Sequence, residues 1–259
     1  MPVSLSLANR VALITGGSRG IGAATVRMFV AAGAQVMFNY QSSKTRADAL
    51  TAELGESCAA VSCDLNGLQT ARDLVDETVK RFGRLDVLVA NHGIWPANDA
   101  PIDRMTDAQW RTTIAVNLDS VFSLVRYSVA QIKKQQQLNR SPAHIVIVSS
   151  TAGQRGEAFH ADYAASKGAV ISMVKGLSTE LAPDSIYVNC VAPGWVATDM
   201  SEPALNDPGS RNTILAKIPL GRAATPDEIA APILFLCTPH AGFVTGEIFN
   251  VNGGAVLVG

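Results

Sequence analysis

Val11-Ala12-Leu13-Ile14-Thr15-Gly16-Gly17-Ser18-Arg19-Gly20-Ile21-Gly22 sets the architecture of everything that follows it. The apolar run from Val11 to Thr15 ends in glycines and reads as a short buried strand. A helical pattern then runs from Ala23 to Ala32 and stops at Gly33. Strand, glycine turn and helix in succession leave the first backbone amides of the helix facing the turn, the phosphate-binding arrangement of nucleotide folds. The spacing Gly16-x-x-x-Gly20-x-Gly22 differs from the common G-x-G-x-x-G fingerprint. Glycine is required where the backbone must approach a pyrophosphate closely and where the helix packs against the strand.

Outward from this unit, strands and helices alternate. Gln35 to Tyr40 reads as the second strand, Leu54 to Ser62 as the third and Asp86 to Ala90 as the fourth. The run His144 to Val148 is the fifth, Ile186 to Val191 the sixth and Gly246 to Gly254 the last. Helices are expected from near Gly67 through Leu68 to Phe82, from Thr106 to Lys134 and from about residue 160 to Leu181. Thr106 and Gln109 have the spacing of a capping box, and Thr225-Pro226 has the form of an N-cap followed by proline at the first helical position. Lys133 to Arg140 reads as a helix end and its exposed connection. Residues 195–218, broken by Pro203, Pro208 and Gly209, are expected to form a mobile lid over substrate. The alternation predicts one α/β domain over residues 1–259, a doubly wound, Rossmann-type parallel sheet of about seven strands.

Composition narrows the function. Of 259 residues, 47% are apolar and the formal net charge is −1, which argues against a nucleic-acid binder. No apolar run has the length of a membrane span, and Met1 to Arg10 lacks the pattern of a signal peptide. Cys58, Cys63, Cys190 and Cys237 lack CxxC spacing and lie in or beside apolar runs, so free thiols are expected rather than disulfides or a metal site. A cytoplasmic protein is expected.

The chemistry concentrates in Ser149-Ser150-Thr151-Ala152-Gly153 and Tyr163-Ala164-Ala165-Ser166-Lys167. Tyr163 and Lys167, four apart, share one face of a helix. An ammonium beside a phenol favours the phenolate, so the tyrosine is expected to titrate lower than usual and to act as a general acid/base. Ser150, at the end of a strand, can bring a second hydroxyl to the same point. Two hydroxyls and an ammonium there suit polarising a carbonyl or deprotonating an alcohol.

With these motifs the chain resembles the short-chain dehydrogenase/reductase family from about Arg10 to Gly254. The resemblance implies that Ser150, Tyr163 and Lys167 are catalytic and that Asn117 completes the set, at a local helix distortion that holds a water. It implies a nicotinamide cofactor held by Gly16, Ser18, Arg19, Gly20, Ile21 and Gly22 in the turn, and by Asn39 and Tyr40 at the second strand. Asp64 and Leu65 would meet the adenine, although Asp64 also suits a helix N-cap. Asn91 and Gly93, Pro193 and Gly194, Val196 and Thr198 would complete the contacts, with Tyr163 and Lys167 on the ribose. The family usually has Asn-Ala-Gly where this chain has Asn91-His92-Gly93; His92 is either an acid/base or a neighbour of backbone contacts, and Ile94 and Trp95 are expected to wall the site.

Asn39 stands where NAD enzymes would carry an acid, and Arg19 offers a guanidinium, so NADP(H) is expected in preference to NAD(H), with Ser42, Ser43 and Lys44 as further donors. Alternatively, Arg19 merely solvates the turn and both cofactors are accepted. Within the family the pattern is nearest to 3-oxoacyl-carrier-protein reductases, whereas Asp184-Ser185 replaces the basic residue and glycine of many relatives. The alternatives are a dehydrogenase of sugars, polyols or other small alcohols, and a non-catalytic dinucleotide sensor. A small-molecule substrate is expected, with neither nucleic acid nor membrane as partner. The resemblance also implies a homotetramer built on helices 106–134 and 160–181.

Overall fold

A computed structural model describes residues 4–66, 68–137 and 141–258. Gly67 and residues 138–140, where the start of one helix and part of one connection were expected, lie outside the described residues, as do residues 1–3 at the start of the chain. Seven strands form one sheet in the order β3-β2-β1-β4-β5-β6-β7, and every neighbouring pair is parallel. They are β1 Val11–Ile14, β2 Gln35–Tyr40, β3 Cys58–Ser62, β4 Val87–Ala90, β5 Ala143–Val148, β6 Ile186–Pro193 and β7 Ile248–Val251.

The strands are near-continuous apolar runs because helices cover both faces of the sheet. Alternate residues feed opposite cores. Ala12, Ile14, Val36, Phe38, Val87 and Val89 meet Val26 and Phe29 of α1 (Gly20–Ala31) and, farther on, Ile229 and Ile233 near the C-terminus. Leu13, Met37, Leu88, Ile145 and Ile147 point the other way, with Leu74, Leu124, Val170 and Val174. Each fully buried large side chain of this kind contributes about 1.5–3 kcal/mol.

The remaining helices are α2 Lys44–Leu54, α3 Leu68–Phe82, α4 Asp107–Ile114, α5 Ser120–Gln136, α6 Thr151–Arg155, α7 Ala161–Leu181, α8 Glu202–Asn206, α9 Pro208–Ala216 and α10 Pro226–Leu236. Thr225 and Glu228 form a reciprocal capping box on α10.

Several expected boundaries change. Leu54 ends α2 instead of starting β3; Gly55, at φ +65°, turns the chain so that the strand begins at Cys58. The single helix expected over 106–134 is interrupted by a π-helical turn, Ala115–Asp119. Thr106 caps α4 by accepting from Gln109 N at 3.1 Å, but Gln109 Nε2 turns to Asp162 Oδ2 at 3.2 Å, so the box is only half made. The proline-broken segment expected as a mobile lid contains two short helices, α8 and α9, with its prolines in the first turns where a missing N–H leaves no gap. β7 is only four residues long, because Gly253 and Gly254 adopt positive φ and turn the chain away.

The strand order reverses between β1 and β4. In an open α/β sheet the usual place for a ligand is outside the carboxyl ends of the strands at such a reversal. The glycine turn, Asn91 and Ser150 follow β1, β4 and β5 directly.

Candidate active site

The turn after β1 is shaped by exclusion. Gly16 has φ +65° and Gly20 φ +53°, a region unfavourable for any residue with a Cβ. A Cβ on Gly22 would lie 2.1 Å from Gly16 O, so no larger residue fits where α1 crosses the turn. Arg19, the N-cap of α1, offers no side-chain hydrogen bond to the helix, so the first-turn amides have no side-chain cap from Arg19. This cradle of bare backbone fits the pyrophosphate of a dinucleotide.

Asn39 does not face a ribose. Its side chain is buried, its Oδ1 accepts from Gly16 N at 2.9 Å, and its Nδ2 donates to Cys63 O at 3.3 Å. The expectation that Asn39 decides cofactor choice is therefore corrected: the amide braces the turn, and alternation along β2 puts the half-buried Tyr40 on the other side. Ser43 is the N-cap position of α2, and Lys44 is held by Asp48 at 2.7 Å. Arg19 Nη1 lies 3.3 Å from Asp199 Oδ2, and Arg46 Nη1 bonds the same oxygen. Asp199 is held in its charged form chiefly by Arg46. No local reading of the second strand anticipated this carboxylate, which arrives from a segment far along the chain, nor Arg46, which lies inside α2.

Asp64 is exposed and closes a small turn, accepting from Asn66 N at 3.0 Å; Leu65 behind it is buried. Asn91 Nδ2 donates to Thr15 O at 2.9 Å and so ties β4 to β1. A Cβ on Gly93 would lie 3.1 Å from Asn117 Oδ1 and 3.4 Å from Lys167 Nζ, which brings three expected residues together. Pro193 closes β6, and a Cβ on Gly194 would approach Asn252 to 3.0 Å. Val196 is buried, and Thr198 stands over the turn, its Cγ2 only 3.2 Å from where a Gly20 Cβ would be.

The residues expected to be catalytic converge at the ends of β4 and β5. Asn117, inside the π-helical turn, is fully buried. It accepts from Ile94 N at 2.8 Å and donates to Ile94 O at 3.0 Å and to Ser166 Oγ at 3.3 Å. Ser150 is the N-cap of α6, its hydroxyl accepting from Ala152 N at 3.1 Å, and its side chain lies near enough to Tyr163 to favour the phenolate. Lys167 Nζ donates to Val148 O at 2.9 Å and stands 5.8 Å from the centroid of the Tyr163 ring. Trp95 meets Tyr163 edge-on at 4.7 Å and packs on His160 with the ring centroids 3.9 Å apart and the planes tilted by 40°.

One electrostatic expectation reverses. Burial pushes the Tyr163 phenol up to about 12, against the opposing effect of Ser150, and pushes Lys167 down to about 8. At this distance the ammonium does not offset the loss of water around the phenol. A neutral phenol is the form that can donate a proton.

His92 sits between Thr15 and Ser120 and makes no hydrogen bond to Tyr163, Ser150 or Lys167. Burial, with Lys167 adding to it, pushes its imidazole down to about 3, so it is neutral at ordinary pH. Cys58, Cys190 and Cys237 are buried, Cys63 is half-buried, and all four are free.

The chain and its fold have counterparts among known proteins. A family model described as Enoyl-(Acyl carrier protein) reductase matches residues 16–256. The 3-oxoacyl-[acyl-carrier-protein] reductase of Synechocystis is 40% identical over 97% of this chain and 99% of its own length. That of Thermotoga maritima is 38% identical over 98% of this chain and 100% of its own. Among solved structures, a short-chain glucose/ribitol dehydrogenase from Brucella melitensis superposes with a TM-score of 0.90 at 36% identity, covering 99% of this chain and 100% of that one. A 3-ketoacyl-(acyl-carrier-protein) reductase from the same organism, complexed with NADH, superposes at 0.88 with 29% identity, covering 98% and 100%.

Proposed function

Because the chain belongs to the short-chain dehydrogenase/reductase family, an NAD(P)-dependent group acting between carbonyls and alcohols, we propose that it reduces the 3-oxo group of an acyl thioester, with NADP(H) preferred over NAD(H). The observation that carries this reading is the meeting of Ser150 and Tyr163 beside the buried Lys167. A pair of hydroxyls meeting at one point suits a single carbonyl oxygen.

A bound nicotinamide supplies the hydride. Ser150 holds the substrate oxygen, and Tyr163 gives it a proton, leaving a phenolate. Lys167, cationic below about pH 8, favours that phenolate and offers its remaining protons to the cofactor ribose. Asn117 fixes the segment at Ile94 and Ser166 along which the proton is returned. Gly16, Gly20 and Gly22 would take the pyrophosphate, and Ser18, Ile21, Asp64, Leu65, Asn91, Gly93, Pro193, Gly194, Val196 and Thr198 would line the rest of the cofactor site.

Cofactor preference rests on the convergence of Arg19 and Arg46 on one anion, now the Asp199 carboxylate. A 2′-phosphate carries more charge and would replace it. Tyr40, rather than Asn39, is the position where an acid would turn the preference to NAD(H). The segment 195–218, with α8 and α9, is proposed as the substrate lid.

A homotetramer in the cytoplasm completes the proposal. Phe122 on α5 is 49% exposed, and a Cβ on Gly176 of α7 would meet nothing within 4 Å, so both helices have room for a neighbour. Light scattering at micromolar concentration checks the assembly, a monomer being the contrary result. Among the described residues, no helix is long and apolar enough to cross a membrane. Asp184 pairs with Lys133 at 2.6 Å, and Ser185, at φ +56°, takes the left-handed conformation that favours glycine.

The purified protein should oxidise NADPH with 3-oxoacyl thioesters faster than with simple ketones, sugars or 2-enoyl thioesters. Faster turnover of a sugar or polyol would favour the small-alcohol reading, which the similarity to the glucose/ribitol dehydrogenase keeps in view.

A further inference from the structure

His92 departs from the family's usual Asn-Ala-Gly, and the reaction as described above does not use it. Its two ring nitrogens nevertheless have partners at hydrogen-bond distance: Nδ1 lies 2.8 Å from Thr15 Oγ1 and Nε2 2.6 Å from Ser120 Oγ. The tautomer follows from the neighbours. Thr15 Oγ1 accepts from Asn91 N at 3.0 Å and from His92 N at 3.3 Å; its own proton has two acceptors in reach, Nδ1 at 2.8 Å and Val89 O at 3.4 Å, and goes to the nearer, Nδ1. Ser120 Oγ donates to Val116 O at 2.6 Å, so it accepts from Nε2–H. The imidazole is neutral and carries its proton on Nε2.

The partners lie on the two halves of the site. Ser120 N bonds Ala115 O, five residues back, so the π-helical turn passes over the Val116 carbonyl. The Ser120 hydroxyl takes up that carbonyl, and His92 holds the hydroxyl. Asn117 sits inside this turn. On the other side Thr15 leads into the glycine turn, where a Cβ on Gly16 would lie 3.1 Å from His92 Cα.

We propose that His92 is a positioning residue: its neutral ring clamps the π-helical turn that presents Asn117 and fixes that turn against the cofactor-binding glycine turn. The clamp acts through Ser120 and Thr15 and transfers no proton in the reaction. The inference rests on the roles proposed above for Asn117 and Tyr163. Displacing a catalytic segment by about 1 Å is enough to lower turnover by up to about a hundredfold.

The test is a double-mutant cycle between His92→Ala and Ser120→Ala, with NADPH affinity measured by fluorescence titration and turnover measured on a 3-oxoacyl thioester. Each single variant should lose about tenfold in kcat, and the NADPH dissociation constant should stay within about twofold. The double variant should lose no more than the worse single one, and His92→Gln, which keeps a donor towards Ser120, should recover most of the loss. Wild-type kcat in either single variant, additive losses, or equal damage by Gln and Ala would overturn the clamp. If His92→Ala does not fold, Ser120→Ala, which deletes one hydroxyl, still decides by its kcat. Tyr163→Phe is assayed beside them. Residual activity in that variant would refute the reading of the site, whereas an inactive Tyr163→Phe beside a fully active Ser120→Ala would refute only the clamp.

Discussion

Between β1 and α1 the chain approaches itself by leaving side chains out. A Cβ on Gly22 would sit 2.1 Å from Gly16 O, and one on Gly17 2.4 Å from Phe38 Cβ. Between β4, α5 and α7 the reverse holds. Asn117 and Ser166 are 0% exposed and Lys167 5%, and each is held by hydrogen bonds to backbone carbonyls or to one another. One region presents backbone made bare, the other side chains made dry. The first therefore fails when atoms are added and the second when they are removed.

That contrast can be broken at several points. Lys167→Met should have the largest effect, because one ammonium serves both regions: kcat should fall by about a thousandfold and NADPH affinity by about tenfold. Loss of kcat alone would confine the lysine to the chemistry. Arg19→Ala and Arg46→Ala should each weaken NADPH by about 1–2 kcal/mol, the low end for charged hydrogen bonds because both groups are half exposed. NADH affinity should not change, and Asp199→Asn should tighten NADPH by removing the competing carboxylate. Equal effects on both cofactors would show that the pair never meets a 2′-phosphate. Gly22→Ala should lower stability by about 1–3 kcal/mol through overpacking, read from urea unfolding. Gly176→Ala, with open space at its Cβ, should instead raise stability by about 0.5–1 kcal/mol.

Another effect concerns acid. His92 and His144 are pushed down to about 3 and about 4, mainly by burial. The unfolded chain takes up protons at these sites that the folded chain refuses, so stability should fall as pH drops from about 6.5 through these values. Replacing His92 by Ala should flatten part of that acid limb in a pH series of unfolding midpoints. An unchanged limb would mean that the ring is better hydrated than its contacts suggest.

The same contrast explains what could be read from the sequence. Glycines at Gly16, Gly20 and Gly22 declare a backbone device in one dimension, because the conformational requirement is local. Ser150, Tyr163 and Lys167 were legible because a strand end and a helical spacing bring them together. Asn117 and its local helix distortion were implied only by the resemblance; the bonds at that π-helical turn, from Ser120 to Val116 O and between Ser120 and His92 Nε2, include one between residues 28 positions apart that no local pattern pairs. Asn39 was read as facing the ribose, because β2 alone does not reveal that Gly16 N and Cys63 O claim its amide. Arg46 and Asp199 stand 153 positions apart, and no local pattern could pair them. The raised phenol of Tyr163 escaped for a similar reason: the spacing brings an ammonium near, but burial has to be seen.

The most direct test of the division between bare backbone and buried side chains is Tyr163→Phe, measured twice on one preparation. One measurement titrates NADPH; the other follows NADPH oxidation with a 3-oxoacyl thioester. Removing one buried hydroxyl should leave the dissociation constant within about twofold while turnover falls at least about a hundredfold. A variant that retains more than about a tenth of wild-type turnover, a loss below about 1.4 kcal/mol, would contradict the account, as would one that loses binding and turnover together.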